Sequence, residues 1–153
     1  MPRVFRLCNA KHAVRAELLD GEGARLYGGR WNRKGAPLVY AASHVSLAAL
    51  EALVHSAVLP RGLVLIAYDV PDVLAADAWP IASLPADWTD YPAPASTQDL
   101  GTRWAEGGSN VALKVPSVVV PLETNWLLNP RHPAIRKVKP VVIGPLSFDA
   151  CLR

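Results

Sequence analysis

The sequence predicts an α/β (α+β) fold: a mixed, mostly antiparallel sheet flanked by helices near 44–57 and 97–107. Three observations carry this. Short apolar runs recur between turn residues at 3–8, 38–42, 63–70, 111–115 and 138–143. Fourteen prolines among 153 residues imply many strand ends and irregular loops, and argue against a helical bundle. Two stretches, one almost wholly apolar and one opened by Ser96-Thr97-Gln98-Asp99, are long enough for helices. The length suits one domain over 1–153 with a real core, and 51% hydrophobic against 19% charged residues excludes disorder.

Residues 3–8 alternate polar and apolar and read as a first strand, with Arg6 on the face of Val4 and Cys8. Residues 9–29 show little periodicity and predict a loop with one helical turn near Val14–Leu19, stopped by Asp20-Gly21. Leu38–Ala42 is a short apolar strand that carries Tyr40. Ser43 is a good helix N-cap, and the helix after it has Leu47, Leu50, Val54 and Val58 as its expected core stripe. Leu63–Val70 predicts a central strand. Residues 71–95 form an irregular excursion with a short strand or two, before a helix marked by Leu100, Trp104 and Gly107. Ser96 and Asp99 have the spacing of a capping box. Val111–Val115 is a strand, and a buried valine strand, Val118–Val120, follows Ser117. Val138–Ile143 is a last strand placed near an edge by Pro140.

Chemistry concentrates between Gly28 and Glu51. Gly28-Gly29-Arg30-Trp31-Asn32 is a loop whose glycines let other atoms approach the chain, and an arginine fork suits a phosphate or carboxylate. A tight turn before a strand is the competing reading. The loop lacks the Gly-Lys-Ser/Thr ending of a P-loop and is no dinucleotide GxGxxG. Glu51 lies at the edge of the helix stripe in apolar surroundings, where an unpaired carboxylate costs several kcal/mol. Either it forms a structural ion pair, with Arg30 or Arg6, or it faces a cleft and does chemistry. Ser117 either satisfies backbone groups or serves the site, and no Gly-x-Ser-x-Gly elbow surrounds it. Asn125 and Asn129 flank Leu127-Leu128 and either line a pocket or cap the turn.

Other classes are poorly supported. His12, His44, His55 and His132 lack metal-ligand spacing, so no metal is expected. Cys8 and Cys151 are expected to be free thiols. No apolar run is long enough to span a membrane, and the start lacks the apolar core of a signal peptide, which predicts a cytoplasmic protein. A net charge of +3 and a pI near 9.1 suit an anionic small molecule, a nucleic acid or an acidic protein. The only basic cluster, 136–139, is too short to argue for nucleic-acid binding by itself.

Gly28 to Asn32, Gly35, Val39-Tyr40, Ala48 to Glu51, the Leu-Pro-x-Asp-Trp at 84–88, Gly101 with Trp104, Val115-Pro116-Ser117, and Asn125 to Pro130 with His132 together resemble, in order, the pattern of the RES-domain family. The family's arginine, glutamate and serine fall on Arg30, Glu51 and Ser117. The tail departs from its pattern: Phe148-Asp149-Ala150-Cys151-Leu152-Arg153 carries one residue more than the usual Phe-Asp-x-Arg-Leu. The resemblance implies an ADP-ribosyltransferase-like fold and a toxin of a type II toxin–antitoxin pair. It implies NAD as substrate, consumed by phosphorolysis or hydrolysis or used to modify a protein. It also implies an Xre-type antitoxin that covers the active site. A homodimer is a separate option that the sequence leaves open.

On that reading Arg30, Glu51, Tyr40 and Ser117 form the catalytic group. Gly28, Gly29, Arg30, Trp31, Asn32, Tyr40, Asn125 and Asn129 hold the dinucleotide. No cofactor is expected beyond NAD as substrate, with inorganic phosphate as an optional co-substrate. Direct nucleic-acid binding is expected only through the antitoxin. The rival from another class is a non-enzymatic domain that binds an acidic protein or nucleic acid through its basic second half.

Overall fold

The computed structural model describes residues 1–74 and 76–152. Seven strands form one sheet: β1 (Arg3–Asn9), β2 (Val39–Ala42), β3 (Leu63–Asp69), β4 (Ala76–Ala78), β5 (Ala112–Pro116), β6 (Thr124–Leu128) and β7 (Lys139–Leu146), in the order β4-β5-β6-β2-β1-β3-β7. Every pairing is antiparallel except that of β4 with β5. This is the mostly antiparallel α/β sheet that the apolar runs predict. As Pro140 requires, β7 lies at an edge, where a missing N–H costs no ladder bond. β3 is hydrogen-bonded on both sides but lies one strand in from that edge.

Alternation along the strands separates two cores. Val4, Cys8, Val39, Ala41, Ile66, Tyr68, Trp126 and Leu128 pack together on one side. Leu38, Leu113, Val115 and Leu127 pack on the other with Trp31, Trp88 and Trp104. β2 lies at the middle of the sheet and pairs with β6 from Val39–Leu128 to Ala42–Asn125. With β1 it shares one register pair only, Phe5 with Ala42, whereas β1 pairs along its whole length with β3. The sheet therefore opens between β1 and β2. The main helix, α2 (Val45–Val54), packs against both of those strands.

Several local expectations are corrected. The segment 9–29 contains the turn expected near 14–19, as a 3-10 turn at Arg15–Glu17, but also a short helix, α1 (Glu22–Tyr27). Gly21 opens it at φ 64°, and the Asp20 carboxylate accepts the Glu22 N–H. Ser43 is not the N-cap of α2. His44 is, and the Ser43 hydroxyl donates to the Thr124 carbonyl instead. The expected stripe of α2 is rotated: Leu47 is buried, but Leu50, Val54 and Val58 are 40%, 53% and 75% exposed. Ala48 joins Leu47 and Ala42 in the interface, because two small side chains let helix and sheet approach closely. A helix apolar all round offers no direction of its own, so packing chose the face.

The third helix, α3 (Ala95–Gly107), begins after Pro94 without a capping box. The Ser96 hydroxyl donates to Asp87, and Asp99 pairs with Arg33. Gly108, at φ 64°, caps its end. Val118–Val120 forms a bend between β5 and β6 rather than a strand. The Asn125–Leu128 run is itself strand β6, at the heart of the sheet. Cys8 is buried and Cys151 exposed, both as free thiols. Among the described residues, no helix is long and apolar enough to cross a membrane.

Candidate active site

The glycine loop is a small, self-supporting structure. Gly28 ends α1 at φ 72°, and Gly29 N–H bonds to the Asn32 carbonyl to close a tight turn. The Tyr40 hydroxyl sits beneath it, donating to Asn32 Oδ1 at 2.6 Å and accepting the Trp31 N–H at 3.0 Å. A Cβ on residue 29 would stand 2.6 Å from the Tyr40 hydroxyl, so this contact demands glycine. Asn32 Nδ2 donates to the carbonyls of Ala24 at 2.8 Å and Ala36 at 3.0 Å, locking the loop onto α1. Burial raises the Tyr40 pKa well above its ordinary value, so the phenol stays protonated as a donor.

This geometry divides the predicted residues. Arg30 projects into a cleft and is anchored from outside: Nη1 donates to the carbonyls of Trp88 at 2.7 Å and Asp90 at 2.8 Å. Among the described residues these are its hydrogen bonds, and both use one nitrogen, which leaves the rest of the fork for an anion. Burial lowers the Arg30 pKa, while the charges of Glu51 and Asp90 oppose that shift. The guanidinium and the Glu51 carboxylate thus feel each other within the cleft without a direct ion pair among the described residues.

Glu51 is the second pole. Its side chain is 27% exposed and lines the cleft from α2. The Ser117 hydroxyl donates to Glu51 Oε1 at 2.7 Å, and Asn125 Nδ2 donates to the same oxygen at 2.8 Å. His55, one turn along the helix, places Nε2 4.0 Å from the other oxygen, Oε2. Ser117 is itself fully buried and accepts the N–H groups of Val119 and Val120, both at 3.1 Å. It satisfies two backbone donors in the bend after β5, and its proton orients the carboxylate. Because all its bonding capacity is used, it acts on Glu51 rather than on a ligand.

The cleft has a volume of about 840 Å³ and is lined by Gly28, Gly29, Arg30, Trp31, Tyr40, Glu51 and Asn125 among the predicted residues. Three others lie apart from it. Asn32 and Ser117 stand behind the loop and behind Glu51 as supports. Asn129 is buried beyond the end of β6, where Nδ2 holds the Ala105 carbonyl of α3 and Oδ1 takes the Arg131 N–H, which is a cap. The Trp31 side chain belongs to the second core, tilted at 60° against Trp79. Sequence reasoning missed Tyr27, Tyr91 and Gln98 as cleft residues. Gln98 Nε2 donates to the Gly29 carbonyl and so ties α3 to the loop. Tyr27, immediately before Gly28 in the chain, was the one available signal.

A RES domain model matches residues 3–149. The chain belongs to the RES domain family. Among RES relatives, the Toxin Res of Yersinia enterocolitica is 45% identical over 140 residues, covering 87% of this chain and 88% of that protein. A Prs ADP-ribosylating toxin of Sphingobium is 40% identical over 149 residues, covering 95% and 92% respectively. The Toxin Res of Photorhabdus laumondii is 40% identical over 148 residues, covering 92% of each. The fold is also similar to a chain in the crystal structure of the M. tuberculosis MbcT–MbcA toxin–antitoxin complex. That likeness has a TM-score of 0.65 and 21% identity, and covers 92% of this chain and 83% of that one.

Proposed function

We propose that this RES protein is the toxin of a toxin–antitoxin pair and that it depletes NAD by cleaving the bond between nicotinamide and ribose. One observation carries the reading: Glu51, its carboxylate fixed by two donors, faces a cleft that Arg30 also lines from a glycine loop. NAD needs both poles. Its pyrophosphate suits the guanidinium fork and the backbone amides of the loop. Its glycosidic bond breaks through an oxocarbenium-like ribose, as in glycoside hydrolysis, and a carboxylate held in place stabilises that charge. The electron pair of the C–N bond leaves with the ring nitrogen, and nicotinamide departs neutral without needing a proton. An oxygen of phosphate, or of a water that gives up a proton to solvent, then bonds to the ribose carbon. No cofactor enters beyond NAD itself, with phosphate as the optional co-substrate.

The names of the relatives support the toxin reading, and the structural neighbour's toxin–antitoxin complex supports a protein antitoxin. Exposed Tyr27, Val54 and Tyr91 at the cleft suit a partner that covers it. A second reading, transfer of ADP-ribose to a protein, is favoured by the Sphingobium relative named as an ADP-ribosylating toxin.

The test follows NAD by proton NMR, with and without inorganic phosphate. The wild-type protein is expected to release nicotinamide. Glu51→Gln and Arg30→Ala, each shown to be folded by circular dichroism, are expected to lower the rate by roughly 100-fold or more. Retained turnover in both would sink the assignment. Loss of NAD only with phosphate identifies a phosphorylase, equal loss without it a glycohydrolase, and loss only on addition of a protein acceptor the second reading.

A further inference from the structure

Asn125 is an unfavourable choice for its place in the sheet. It lies in β6, a strand paired on both sides, opposite Ala42 of β2 and Val115 of β5. Asparagine is depleted from strands, where its amide competes with the ladder. Its Nδ2 donates to Glu51 Oε1 at 2.8 Å. Its Oδ1 is buried and has no hydrogen-bond partner among the described residues. A buried acceptor without a donor is costly. Turning the amide over would not relieve it. An ionised carboxylate only accepts, so the turned amide would set Oδ1 against Oε1. The charge on Glu51 therefore fixes which way Asn125 faces, and its Oδ1 goes unsatisfied as a result. A residue serving the fold alone would be apolar, like the fully buried Leu127 two positions on, on the same face.

The bond makes the two oxygens of Glu51 different. A carboxyl group turns easily about its last torsion unless it is held. Oε1 accepts from Ser117 at 2.7 Å and from Asn125, and two bonds occupy its two lone pairs. Oε2 accepts none among the described residues, since Nε2 of His55 stands 4.0 Å away, beyond hydrogen-bond reach. We propose that Asn125 is a positioning residue which, with Ser117, locks the carboxylate so that Oε2 is the oxygen offered to the substrate. This role rests on the NAD reading above. One donor is a pivot about which the carboxyl plane swings. A second donor, from a different element, fixes the plane. A carboxylate stabilises the developing ribose charge only while its free oxygen points there, so the constraint counts most in the transition state.

The test compares two replacements of similar shape. Asn125→Leu removes both polar atoms. Asn125→Asp keeps the shape but sets a second carboxyl group beside Glu51. Nicotinamide release from NAD is followed across pH, with the acceptor that the wild type uses, after circular dichroism has shown each variant folded. The other titratable and charged groups lining the cleft are Arg6 of β1, Tyr27 of α1, Arg30 of the glycine loop, Tyr40 of β2, His55 after α2 and Tyr91, and neither variant alters them. In Asn125→Leu, kcat is expected to fall by about ten-fold or more while KM changes by less than about three-fold. In Asn125→Asp, two carboxyl groups at hydrogen-bond distance share one proton. While that proton is held, the new acid donates to Oε1 in place of the amide. Once it leaves, two negative charges repel and the lock is lost. The kcat of Asn125→Asp, relative to wild type, should therefore fall as pH rises across about 6 to 9.

A kcat of Asn125→Leu within about two-fold of wild type overturns the proposal. So does a raised KM with kcat unchanged, because Asn125 would then bind substrate rather than position Glu51. An Asn125→Asp profile parallel to that of the wild type also overturns it. Where one variant does not fold, the other decides. A wild-type protein that consumes no NAD with phosphate, water or a protein acceptor overturns the NAD reading and this role together.

Discussion

Ser117 places one hydroxyl between the backbone and the Glu51 carboxylate. It donates to Glu51 and accepts from two backbone amides while fully buried. Ser117→Ala removes a hydrogen bond to a carboxylate and orphans two N–H groups, at a cost of about 2–3 kcal/mol. Chemical denaturation should report that loss. A serine that only held the bend would leave catalysis alone. One that orients Glu51 should lower kcat by roughly ten-fold or more with a smaller change in KM, since the lost interaction acts in the transition state. The sequence exposed Ser117 as a candidate but left two roles open, because its partner lies 66 residues away.

At the scale of elements, α3 is the clamp on the glycine loop. Gly101 lies against the backbone of Trp31, and a Cβ there would stand 1.9 Å from the Trp31 carbonyl oxygen. Backbone cannot yield as a flexible side chain does, so Gly101→Ala should destabilise the fold by about 3 kcal/mol, measured by urea denaturation. It should also impair NAD turnover, because the displaced loop carries Arg30. Asp77 on β4 ties the other side of α3. It accepts from Trp104 Nε1 at 2.7 Å and from Asn110 Nδ2 at 2.8 Å, and the Trp104 bond chiefly holds its carboxyl below the usual range. A lowered folded pKa gives stability that is present above the unfolded value and lost as pH falls through the folded one. Asp77→Asn should therefore melt lower than wild type at pH 7, with the gap closing below about pH 4. An equal gap at both pH values, read by calorimetry, would reject the linkage. Neither clamp was legible beforehand. Glycine 101 reads locally as a poor helix residue, and its reason is a loop seventy residues earlier.

For the whole molecule, a net charge of +3 suits the anionic substrate proposed above. On the NAD reading, that field raises the encounter rate with the dinucleotide, and salt screens it. The KM for NAD should rise by about two- to five-fold between low salt and roughly 0.5 M, with kcat nearly constant, because Glu51 is partly buried and its donor Ser117 fully so. A KM indifferent to salt would show that binding depends on the cleft alone.

The division of information follows from the range of the forces. Within one segment, alternation, turn residues and residue chemistry are local, and the sequence by itself settled them. It determined most of the strands, the edge position of β7 marked by Pro140, and the glycine loop with Arg30, and it left Glu51 open between an ion pair and a cleft. The tertiary structure decided what depends on register between distant segments. The run from Asn125 to Leu128 was read as a turn or a pocket wall because its leucines and asparagines carry no strand signature. It became a central strand only by pairing with β2 and β5. The face of α2 was undetermined because the helix is apolar all round, and close packing of Ala48 on Ala42 chose it. That choice turned Leu50, Val54 and Val58 outward and Glu51 into the cleft. Ser117 and Asn125 meet the same carboxylate oxygen from 66 and 74 residues away. No local propensity encodes such a meeting; the pairing of β5 with β6 and of β6 with β2 brings it about.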